Sequence, residues 1–413
     1  MVYYKHINQR SKSMKLSEEL AWRGFVAEHT LNDISDLDKA PRKFYWGVDP
    51  SADSMHIGNL AAAMMCACFI RHDYQPFLLV GGATGQIGDP KDNGERDLKS
   101  LDEIAHNKAA IRDQMARVVV APNLTMVDNY DWFSEMNYLA FLREIGKQFS
   151  MTQLLDRQFI QARIGDGGSG ISYAEFSYTL IQGYDFLYLY REYGVDLQLC
   201  GADQLGNCTS GIHLIKRLEG ASADAYACPL IIDKVSGRKF GKSEGNAIWL
   251  DEKQTSVFDF YQFWLGQADV GVEDYLKFYT LLMPDELTEL MAEHEERPSE
   301  RVAQKRLAYE VTKIVHGEEK AKGVAKVTEL LFGGAELSDA DFNLLAEFVP
   351  ALDLGITVVD ALVDSGVASS KAEARQLIKS GAVSVGGKKI SDDMVVNERA
   401  VVKRGKNKFI LVR

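Results

Sequence analysis

Residues 44–59 read FYWGVDPSADSMHIGN, an apolar run that ends at an Asp-Pro pair and opens into a helical pattern. Apolar side chains then recur at helical spacing as far as Asp73, which predicts a helix. A second apolar run, QPFLLV at 75–80, leads into the glycine-rich segment GGATGQIGDP. Strand-like and helical runs alternate again over 195–233. This alternation predicts an α/β domain with a parallel sheet and helices on both faces.

Length and composition limit the class of protein. The 413 residues predict two or three domains at about 150 residues each. With 46% hydrophobic and 26% charged residues, the chain has the composition of a soluble globular protein, which excludes a disordered or collagen-like one. No run approaches about 18 consecutive apolar residues, so we predict no membrane span and no membrane partner.

The N-terminal residues differ in composition from the rest of the chain. Residues 1–16 are basic but lack an apolar core, so they are not a secretory signal. We interpret Met14 as the natural start and residues 1–13 as an N-terminal extension; an organellar presequence is the alternative. The five cysteines are an odd number in a large chain and lie in mostly apolar runs, so we predict reduced core thiols and a cytoplasmic protein.

Charge is unevenly distributed. The net charge is −12, which argues against a protein that coats nucleic acid over its whole surface. Residues 351–413, however, contain eleven basic and seven acidic residues, a net charge of +4, so the rest of the chain carries −16. A small basic module is therefore attached to an acidic body.

The remaining patterns suggest the domain organisation. Residues 134–200 and 255–334 are largely helical, and the acidic, weakly patterned 337–354 reads as a linker. Two helices and several short strands follow it. We predict five segments: an extension (1–13), an α/β domain (14–254), a helical domain (255–336), a linker (337–354) and a small α+β domain (355–413).

Two segments carry candidate phosphate chemistry. His56 and Gly58 lie where a strand leads into a helix, and a helix N-terminus offers free N–H groups to a phosphate. The alternative is a purely structural role, in which Ser51 or Asp53 is the helix N-cap and His56 forms its hydrogen bonds within the protein. The second segment, RKFGKS at 238–243, is a basic glycine loop that could close over a triphosphate. It lacks P-loop spacing, and a solvated basic turn is its alternative.

A third candidate lies in the aromatic helical stretch at 170–194. Tyr178, Gln182 and Asp185 are spaced by four and three residues, which places them on one helix face. The alternative is that this aromatic helix face packs in the protein core and binds no ligand. A buried glutamine and aspartate need polar partners, however, so the spacing favours a site for a polar ligand.

In this order and about 180 residues apart, the two phosphate segments resemble the HIGH and KMSKS motifs of class I aminoacyl-tRNA synthetases. The strings YWGVDPSADSMHIGNL, LLVGGATGQIGDP, NYDWF, EFSYTLIQGYDF, GADQLGN and KFGKSEGNAIWL are similar to the bacterial-type tyrosyl-tRNA synthetase family, from about Met14 to the C-terminus. The resemblance implies a Rossmann-like catalytic domain that joins tyrosine to tRNA(Tyr). It also implies ATP as substrate, Mg²⁺ carried by the ATP, no tightly bound cofactor or resident metal, and a homodimer with its interface near NYDWF.

The resemblance also implies roles for individual residues. The residues for tyrosine are Tyr45, Asp89, Asn129, Tyr178, Gln182, Asp185 and Gln204. Those for ATP are Gly47, Asp49, Ser51, His56, Gly58, Gly201, Asp203 and Lys242. The catalytic set is His56, Asn59, Lys239, Lys242 and Ser243. Tyrosine's own carboxylate is the nucleophile, so these groups position the substrates and stabilise charge.

The C-terminal string SSKAEARQLIKSGAVSVGGKKI resembles an S4 RNA-binding domain. The resemblance implies that one helix contacts RNA phosphates through Ser370, Lys371, Arg375 and Lys379. A solvated basic face is the alternative, although it does not explain a local positive excess on an acidic protein.

Several positions depart from the family pattern. Asn59 replaces the second histidine of HIGH, Trp46 stands where a cysteine is frequent, and Ala202 and Leu205 replace a serine and a tryptophan. The segment after Pro90 is about one residue short, which leaves the roles of Lys91 and Arg96 open. Two other functions compete: a tryptophanyl relative, which Tyr45 with Asp185 argues against, and a non-catalytic RNA-binding paralogue, which should have lost its phosphate-handling residues.

Overall fold

The computed structural model describes residues 14–90, 97–155, 158–165, 168–243, 246–334 and 336–413, without the side chains at 153, 158, 159, 162, 242, 243 and 246. The predicted extension at 1–13 and the residues Lys91 and Arg96 lie outside the described ranges.

The helices are numbered along the described chain. They are α1 (Leu16–Arg23), α2 (Ile57–Arg71), α3 (Leu101–Val118), α4 (Tyr130–Phe133), α5 (Tyr138–Glu144), α6 (Met151–Leu155), α7 (Gln158–Ile164), α8 (Tyr173–Tyr193), α9 (Leu205–Glu219), α10 (Val257–Leu265), α11 (Asp269–Tyr279), α12 (Pro284–Glu296), α13 (Val302–His316), α14 (Glu318–Gly333), α15 (Asp339–Leu345), α16 (Val358–Asp364) and α17 (Lys371–Lys379). Short 3-10 turns occur at Ile34–Asp38, Thr84–Gln86, Gly146–Gln148, Ala202–Gln204 and Pro298–Glu300.

The strands form two five-stranded sheets and two short ribbons. They are β1 (Lys43–Val48), β2 (Gln75–Val80), β3 (Thr125–Asp128), β4 (Leu197–Gly201), β5 (Asp224–Cys228), β6 (Lys242–Ser243), β7 (Asn246–Ala247), β8 (Ala351–Leu352), β9 (Ile356–Thr357), β10 (Val383–Val385), β11 (Lys388–Lys389), β12 (Val395–Val396), β13 (Ala400–Arg404) and β14 (Lys408–Val412).

The chain divides into two compact units. The first contains the residues up to Asp251 together with Ala268–Pro298, and the second contains Glu252–Gln267 and Ser299–Arg413. The segment Ala268–Pro298, which we predicted to lie in the helical domain, is thus part of the first unit. It is held there by Arg23, whose guanidinium donates to the carbonyls of Thr280 and Leu282, both at 2.9 Å.

The first unit contains the predicted parallel sheet, in the order β3-β2-β1-β4-β5. The strands are buried because apolar residues fill them; Phe44, Leu78 and Leu197 are fully enclosed. The order reverses at β1, which pairs with both β2 and β4. At a strand where the order reverses, the connections that follow the neighbouring strands run to opposite faces of the sheet. A crevice therefore opens between them, at the carboxyl ends of β1 and β4.

Helices α8 and α9 approach each other closely beside this sheet. A methyl group on Gly211 would lie 2.6 Å from Cβ of Phe186, and one on Gly183 would lie 3.1 Å from Cβ of Ser210. Glycine at both positions therefore allows the close approach, which positions the face of α8 that carries Tyr178 and Asp185.

The second unit combines helices with a small sheet module. One sheet has the order β11-β10-β13-β14-β8, and β12 pairs with β9. Helices α16 and α17 pack on it through a core that includes Val359, Ile378 and Val402. The α/β fold with further helices and a small C-terminal α+β module is confirmed.

The segment predicted as a linker, 337–354, contains helix α15 and strand β8. Ser338 caps the helix by accepting a hydrogen bond from the backbone N–H of Asp341 at 3.3 Å. Strand β8 pairs in parallel with β14, with Leu411 opposite Ala351. The weak hydrophobic pattern of this segment concealed both elements, because each is short and only partly buried.

Three further observations concern the described residues as a group. No helix among them is long and apolar enough to cross a bilayer. All five cysteines are free and buried. Over the described ranges, no group of three or more His, Cys, Asp or Glu side chains is placed to hold a metal ion.

Candidate active site

A cavity of about 540 Å³ opens at the carboxyl ends of β1 and β4, as the strand order predicts. Its wall includes Gly47 near the end of β1, Asp49 just after β1, Gly201 at the end of β4 and Pro229 just after β5. Because parallel strands end at one edge of a sheet, segments far apart in sequence meet around one space.

His56 is the N-cap of α2, so neither Ser51 nor Asp53 fills that position. Its Nδ1 accepts a hydrogen bond from the backbone N–H of Gly58 at 3.0 Å. In the neutral ring the proton is therefore on Nε2, which can donate to a ligand. A methyl group on Gly58 would lie 2.7 Å from the His56 ring, so the cap requires glycine there.

Asn59 completes a capping box with His56. Its Oδ1 accepts from the backbone N–H of His56 at 3.1 Å, while it also lines the cavity. An asparagine at this position thus contributes to the helix start as well as to the cavity wall.

The chain after the basic loop pairs with the first motif. The backbone N–H of Ile57 donates to the carbonyl of Ile248 at 3.1 Å, and that of Leu250 donates to the carbonyl of Met55 at 2.8 Å. Of the loop residues, Lys239 is exposed and lines the cavity. Lys242 and Ser243 are described by their backbone alone, in the ribbon β6–β7.

Asp185 lines the cavity, is buried and is held by two donors. Trp132 donates from Nε1 to Oδ1 at 2.9 Å, and Asn129 donates from Nδ2 to Oδ2 at 3.1 Å. Burial raises the pKa of Asp185 well above its usual value; these hydrogen bonds lower it, and the charges of Asp49 and Asp128 raise it further. The carboxyl group is rigidly oriented but costly to ionise.

Two buried polar atoms beside Asp185 lack partners. Within the described part of the chain, the hydroxyl of Tyr45 and Oε1 of Gln182 have no hydrogen-bond partner, and both residues line the cavity. Burial also raises the pKa of Tyr45 well above its usual value, so its hydroxyl keeps its proton. Unpaired buried polar groups are costly in a core, so these atoms indicate a polar ligand.

A hydrogen-bonded chain connects Tyr178 to Asp185 through Asp49, Thr84 and Asn129. Tyr178 donates from its hydroxyl to Oδ2 of Asp49 at 2.8 Å, and Thr84 donates to Oδ1 of Asp49 at 2.6 Å. Asn129 then donates to Thr84 at 3.0 Å and, through its other bond, to Asp185. Three of the residues predicted for tyrosine, Tyr178, Asn129 and Asp185, therefore belong to one network with the predicted ATP residue Asp49.

A second polar cluster surrounds Asp89. Gln204 donates from Nε2 to Oδ2 of Asp89 at 2.7 Å, and Asn207 donates from Nδ2 to Oδ1 at 3.3 Å. Thr179 in turn donates to Oδ1 of Asn207 at 2.8 Å. This cluster fixes the Asp89 carboxylate at the cavity wall.

The structure brings most of the predicted residues together. The cavity is lined by Tyr45, Gly47, Asp49, Ser51, His56, Gly58, Asn59, Asp89, Tyr178, Gln182, Asp185, Gly201, Asp203, Gln204 and Lys239. Asn129 is fully buried behind Asp185 and does not line it. Of the departing residues, Trp46 and Ala202 line the cavity, whereas Leu205 begins α9 outside the lining.

Four residues in these networks were missed by the sequence analysis. They are Thr84, Trp132, Thr179 and Asn207. Trp132 follows Asn129 by three residues, and that helical spacing could have indicated two donors on one face. No local signal distinguishes Thr84 or Asn207 from other loop and helix polar residues.

The C-terminal residues predicted to bind RNA lie on α17. Ser370 is its N-cap and accepts from the backbone N–H of Glu373 at 3.2 Å. Lys371 forms an ion pair with Asp360 at 2.6 Å. Arg375 and Lys379 are exposed on the same helix, so the basic side chains do share one element.

Comparison with known proteins first defines the class. The family of class I tRNA synthetases for tryptophan and tyrosine (W and Y) matches residues 37–333. The tyrosine–tRNA ligase SYY-like C-terminal domain matches residues 341–412. A C-terminally truncated mitochondrial tyrosyl-tRNA synthetase of Aspergillus nidulans has a similar structure, with a TM-score of 0.69 and 28% identity over 80% of this chain and 98% of that one.

Curated relatives show which family within this class the chain resembles. Tyrosine–tRNA ligase of Levilactobacillus brevis is 39% identical over 421 residues, covering 97% of this chain and 99% of the relative. That of Bacteroides fragilis is 41% identical over 429 residues, with the same coverage. The chain belongs to the bacterial tyrosine–tRNA ligase family, a family of class I aminoacyl-tRNA ligases.

Proposed function

We propose that this chain activates L-tyrosine with ATP, forming tyrosyl-adenylate and pyrophosphate, and then transfers the tyrosyl group to the 3′ end of tRNA(Tyr). The observation that carries the proposal is that the same cavity is lined by the buried carboxyl group of Asp185 and by the hydroxyl of Tyr45, which has no partner among the described residues. Together these two groups can bond a phenol hydroxyl as donor and as acceptor.

Asp185 and Tyr45 select tyrosine in this proposal. The phenol of the substrate donates to Asp185 and accepts from Tyr45, while Trp132 and Asn129 hold the carboxyl group in place. Phenylalanine would leave both groups unpaired in a buried site. A site built for a hydroxyl rejects its deoxy analogue by about 10⁴–10⁵, the figure known for tyrosyl-tRNA synthetases.

Tyr178, Gln182 and Asp89 hold the α-ammonium group in this proposal. The carboxylate of Asp89 supplies the charge, and Gln204 orients it. Asn129 acts at the other end, from behind Asp185.

ATP binds on the opposite side of the network. Gly47 and Gly58 leave space for the flat base and the ribose, and Asp203 accepts from ribose hydroxyl groups. Gly201 and Asp49 belong to the same wall, and Ser51 and His56 face the terminal phosphate. Mg²⁺ enters with ATP as part of the substrate.

The chemical step needs no protein nucleophile. The carboxylate oxygen of tyrosine forms a bond to the α-phosphorus, and the bond from that phosphorus to the bridging oxygen breaks, which releases pyrophosphate. Positively charged groups and hydrogen-bond donors, placed where the charge of pyrophosphate develops, lower the barrier. Nε2–H of His56 and the side chains of Lys239, Lys242 and Ser243 supply those groups, and Asn59 keeps His56 at the helix start.

The C-terminal module binds tRNA in this proposal. Its excess of basic residues and the exposed side chains of Arg375 and Lys379 suit phosphate contacts on structured RNA. Lys371 and Ser370 begin the same helix, so all four residues can approach one backbone.

We further propose a homodimer located in the cytoplasm. Tyr130, Tyr138, Leu139 and Tyr173 are exposed near the NYDWF segment, which is more apolar surface than a solvated face requires. The five reduced cysteines suit a reducing compartment. Sedimentation of the full chain measures the oligomeric state, and a monomer at micromolar concentration contradicts the dimer.

Amino-acid-dependent exchange between ATP and labelled pyrophosphate tests the activity. We expect exchange with tyrosine, followed by charging of tRNA(Tyr), and exchange with tryptophan or phenylalanine lower by at least about 10⁴. Preference for tryptophan would identify the tryptophanyl relative. Absence of exchange in a protein that still binds tRNA would identify a non-catalytic RNA-binding protein.

A further inference from the structure

The hairpin at 231–240 carries Lys239 to the cavity. Its strands are joined by a bridge between Ile232 and Lys239 and by a hydrogen bond from the backbone N–H of Phe240 to the carbonyl of Ile231 at 2.9 Å. The turn closes through the backbone N–H of Asp233, which donates to the carbonyl of Arg238 at 2.8 Å. The hairpin is thus internally rigid, and the position of Lys239 depends on what holds the hairpin as a whole.

Tyr275 of α11 contacts the hairpin at both ends. Its ring stacks on Phe240, with centroids 4.2 Å apart and planes inclined by 24°. Its hydroxyl donates to Oδ2 of Asp233 at 3.2 Å and accepts from the backbone N–H of Lys234 at 3.4 Å. One buried side chain therefore touches the residue next to Lys239 and the residue that begins the turn.

Gly271 makes room for this side chain. It lies one helical turn before Tyr275, and a methyl group on it would be 2.9 Å from Cε2 and 3.2 Å from the hydroxyl oxygen of Tyr275. Glycine is unfavourable inside a helix compared with alanine. The space that it leaves for the Tyr275 ring is a physical reason for a glycine at this position.

We propose that Tyr275 is a positioning residue for adenylate formation, which fixes the 231–240 hairpin so that Lys239 meets the phosphates. This role rests on the proposed function, because it concerns the transition state of that reaction. The Tyr275 ring fixes the end of the hairpin at Phe240, and the Tyr275 hydroxyl fixes the turn at Asp233.

The contact persists over the ordinary pH range. Burial raises the pKa of Tyr275 to about 12, so its hydroxyl remains a donor. Hydrogen bonds from Ser236 hold the pKa of Asp233 below its usual value, so its carboxylate remains an acceptor. The hydrogen bond from Tyr275 to Asp233 therefore keeps its donor and its acceptor from pH 6 to pH 9.

Exchange kinetics of full-length Tyr275→Leu and Tyr275→Phe test the proposal. Removing the ring and the hydroxyl should lower kcat of tyrosine-dependent exchange by about tenfold or more, while the dissociation constant for tyrosine changes less than twofold, because that pocket is not touched. Tyr275→Phe keeps the stack and should recover most of the rate. Tyr261→Phe, another buried tyrosine on a helix, serves as the control and should match the parent.

Trypsin provides a readout independent of activity. The hairpin contains Lys234, Arg238 and Lys239, and loosening it should speed cleavage there by about tenfold in Tyr275→Leu but not in Tyr261→Phe. If exchange and cleavage in Tyr275→Leu both equal those of the parent, Tyr275 does not position the loop. A fall in tyrosine affinity as large as the fall in kcat also overturns the proposal, because it indicates general damage.

Gly271→Ala keeps the test decisive if Tyr275→Leu does not fold. Alanine favours the helix, which offsets part of the cost of displacing the Tyr275 ring, so the variant should still fold while exchange falls severalfold. An unchanged rate overturns the proposal. Failure of the proposed function is distinct, since the parent itself would then show no exchange with tyrosine.

Discussion

Gly241 lies directly against Ile57, so closely that a methyl group on Gly241 would be 2.4 Å from both Cγ1 and Cδ1 of the isoleucine. The two residues belong to the two phosphate segments, the basic loop and the start of α2. Gly241 also has a φ of +81°, a backbone conformation that side chains disfavour. The glycine therefore serves both the turn of the loop and its packing against α2.

Gly241→Ala should reduce tyrosine-dependent exchange by about tenfold to a hundredfold. The left-handed conformation costs about 1–2 kcal/mol for a side chain, and overpacking against Ile57 adds about 1–3 kcal/mol. Gly237→Ala is the matched control, because Gly237 has a φ of +67° in the same hairpin with nothing within 4 Å of an added methyl group. Equal rates for the two variants would show that the close approach to Ile57 is unimportant.

Tyr45→Phe should change stability and activity in opposite directions. The ligand-free variant should melt at the same temperature as the parent or higher, because it no longer buries a hydroxyl without a partner among the described residues. Its kcat/KM for tyrosine should fall by about fivefold to tenfold, the value of about 1 kcal/mol for one hydrogen bond, while that for phenylalanine stays constant. Equal losses for both amino acids contradict the role of Tyr45 in reading the phenol.

The pH dependence of stability should reveal Asp185. Because burial raises its pKa, the folded protein binds the proton more tightly than the unfolded one, so this contribution to stability is present below the ordinary pKa of about 4 and is lost as pH rises through the folded pKa. The Asp185→Asn variant lacks this pH-dependent contribution to stability. The melting temperature of the parent minus that of the variant should therefore decrease as pH rises above about 4, and a constant difference from pH 4 to pH 9 would contradict the raised pKa.

Removing the basic side chains of α17 should affect tRNA charging alone. We consider a triple variant with the substitutions Lys371→Ala, Arg375→Ala and Lys379→Ala. It should keep the exchange rate of the parent but bind tRNA more weakly. Its affinity for tRNA should also depend less on salt, and the slope of log affinity against log salt concentration should fall by about 0.7–0.9 for each phosphate that is no longer neutralised. Replacing Lys305, Lys322 and Lys326, exposed on α13 and α14, removes the same charge from another face. The role of α17 is wrong if both triple variants bind tRNA equally well.

Local patterns in the sequence were sufficient for the architecture and for the helix face that carries part of the cavity wall. The alternation of strands and helices predicted the parallel sheet, and the spacing of Tyr178, Gln182 and Asp185 predicted one helix face, because backbone hydrogen bonding gives strands and helices fixed periods. The family resemblance predicted which of these residues meet at the cavity. Their individual roles stay predictions that the experiments above test.

Only the tertiary structure decided how those side chains are held. Trp132 and its near neighbour Asn129 reach Asp185 from the segment that follows β3, and Thr84 reaches Asp49 from the glycine-rich loop. The sequence alone determined which residues lie on which element, since that depends on neighbours along the chain. It could not determine these partners, because a hydrogen bond between residues more than thirty positions apart depends on how the packed elements place two atoms within about 3 Å of each other.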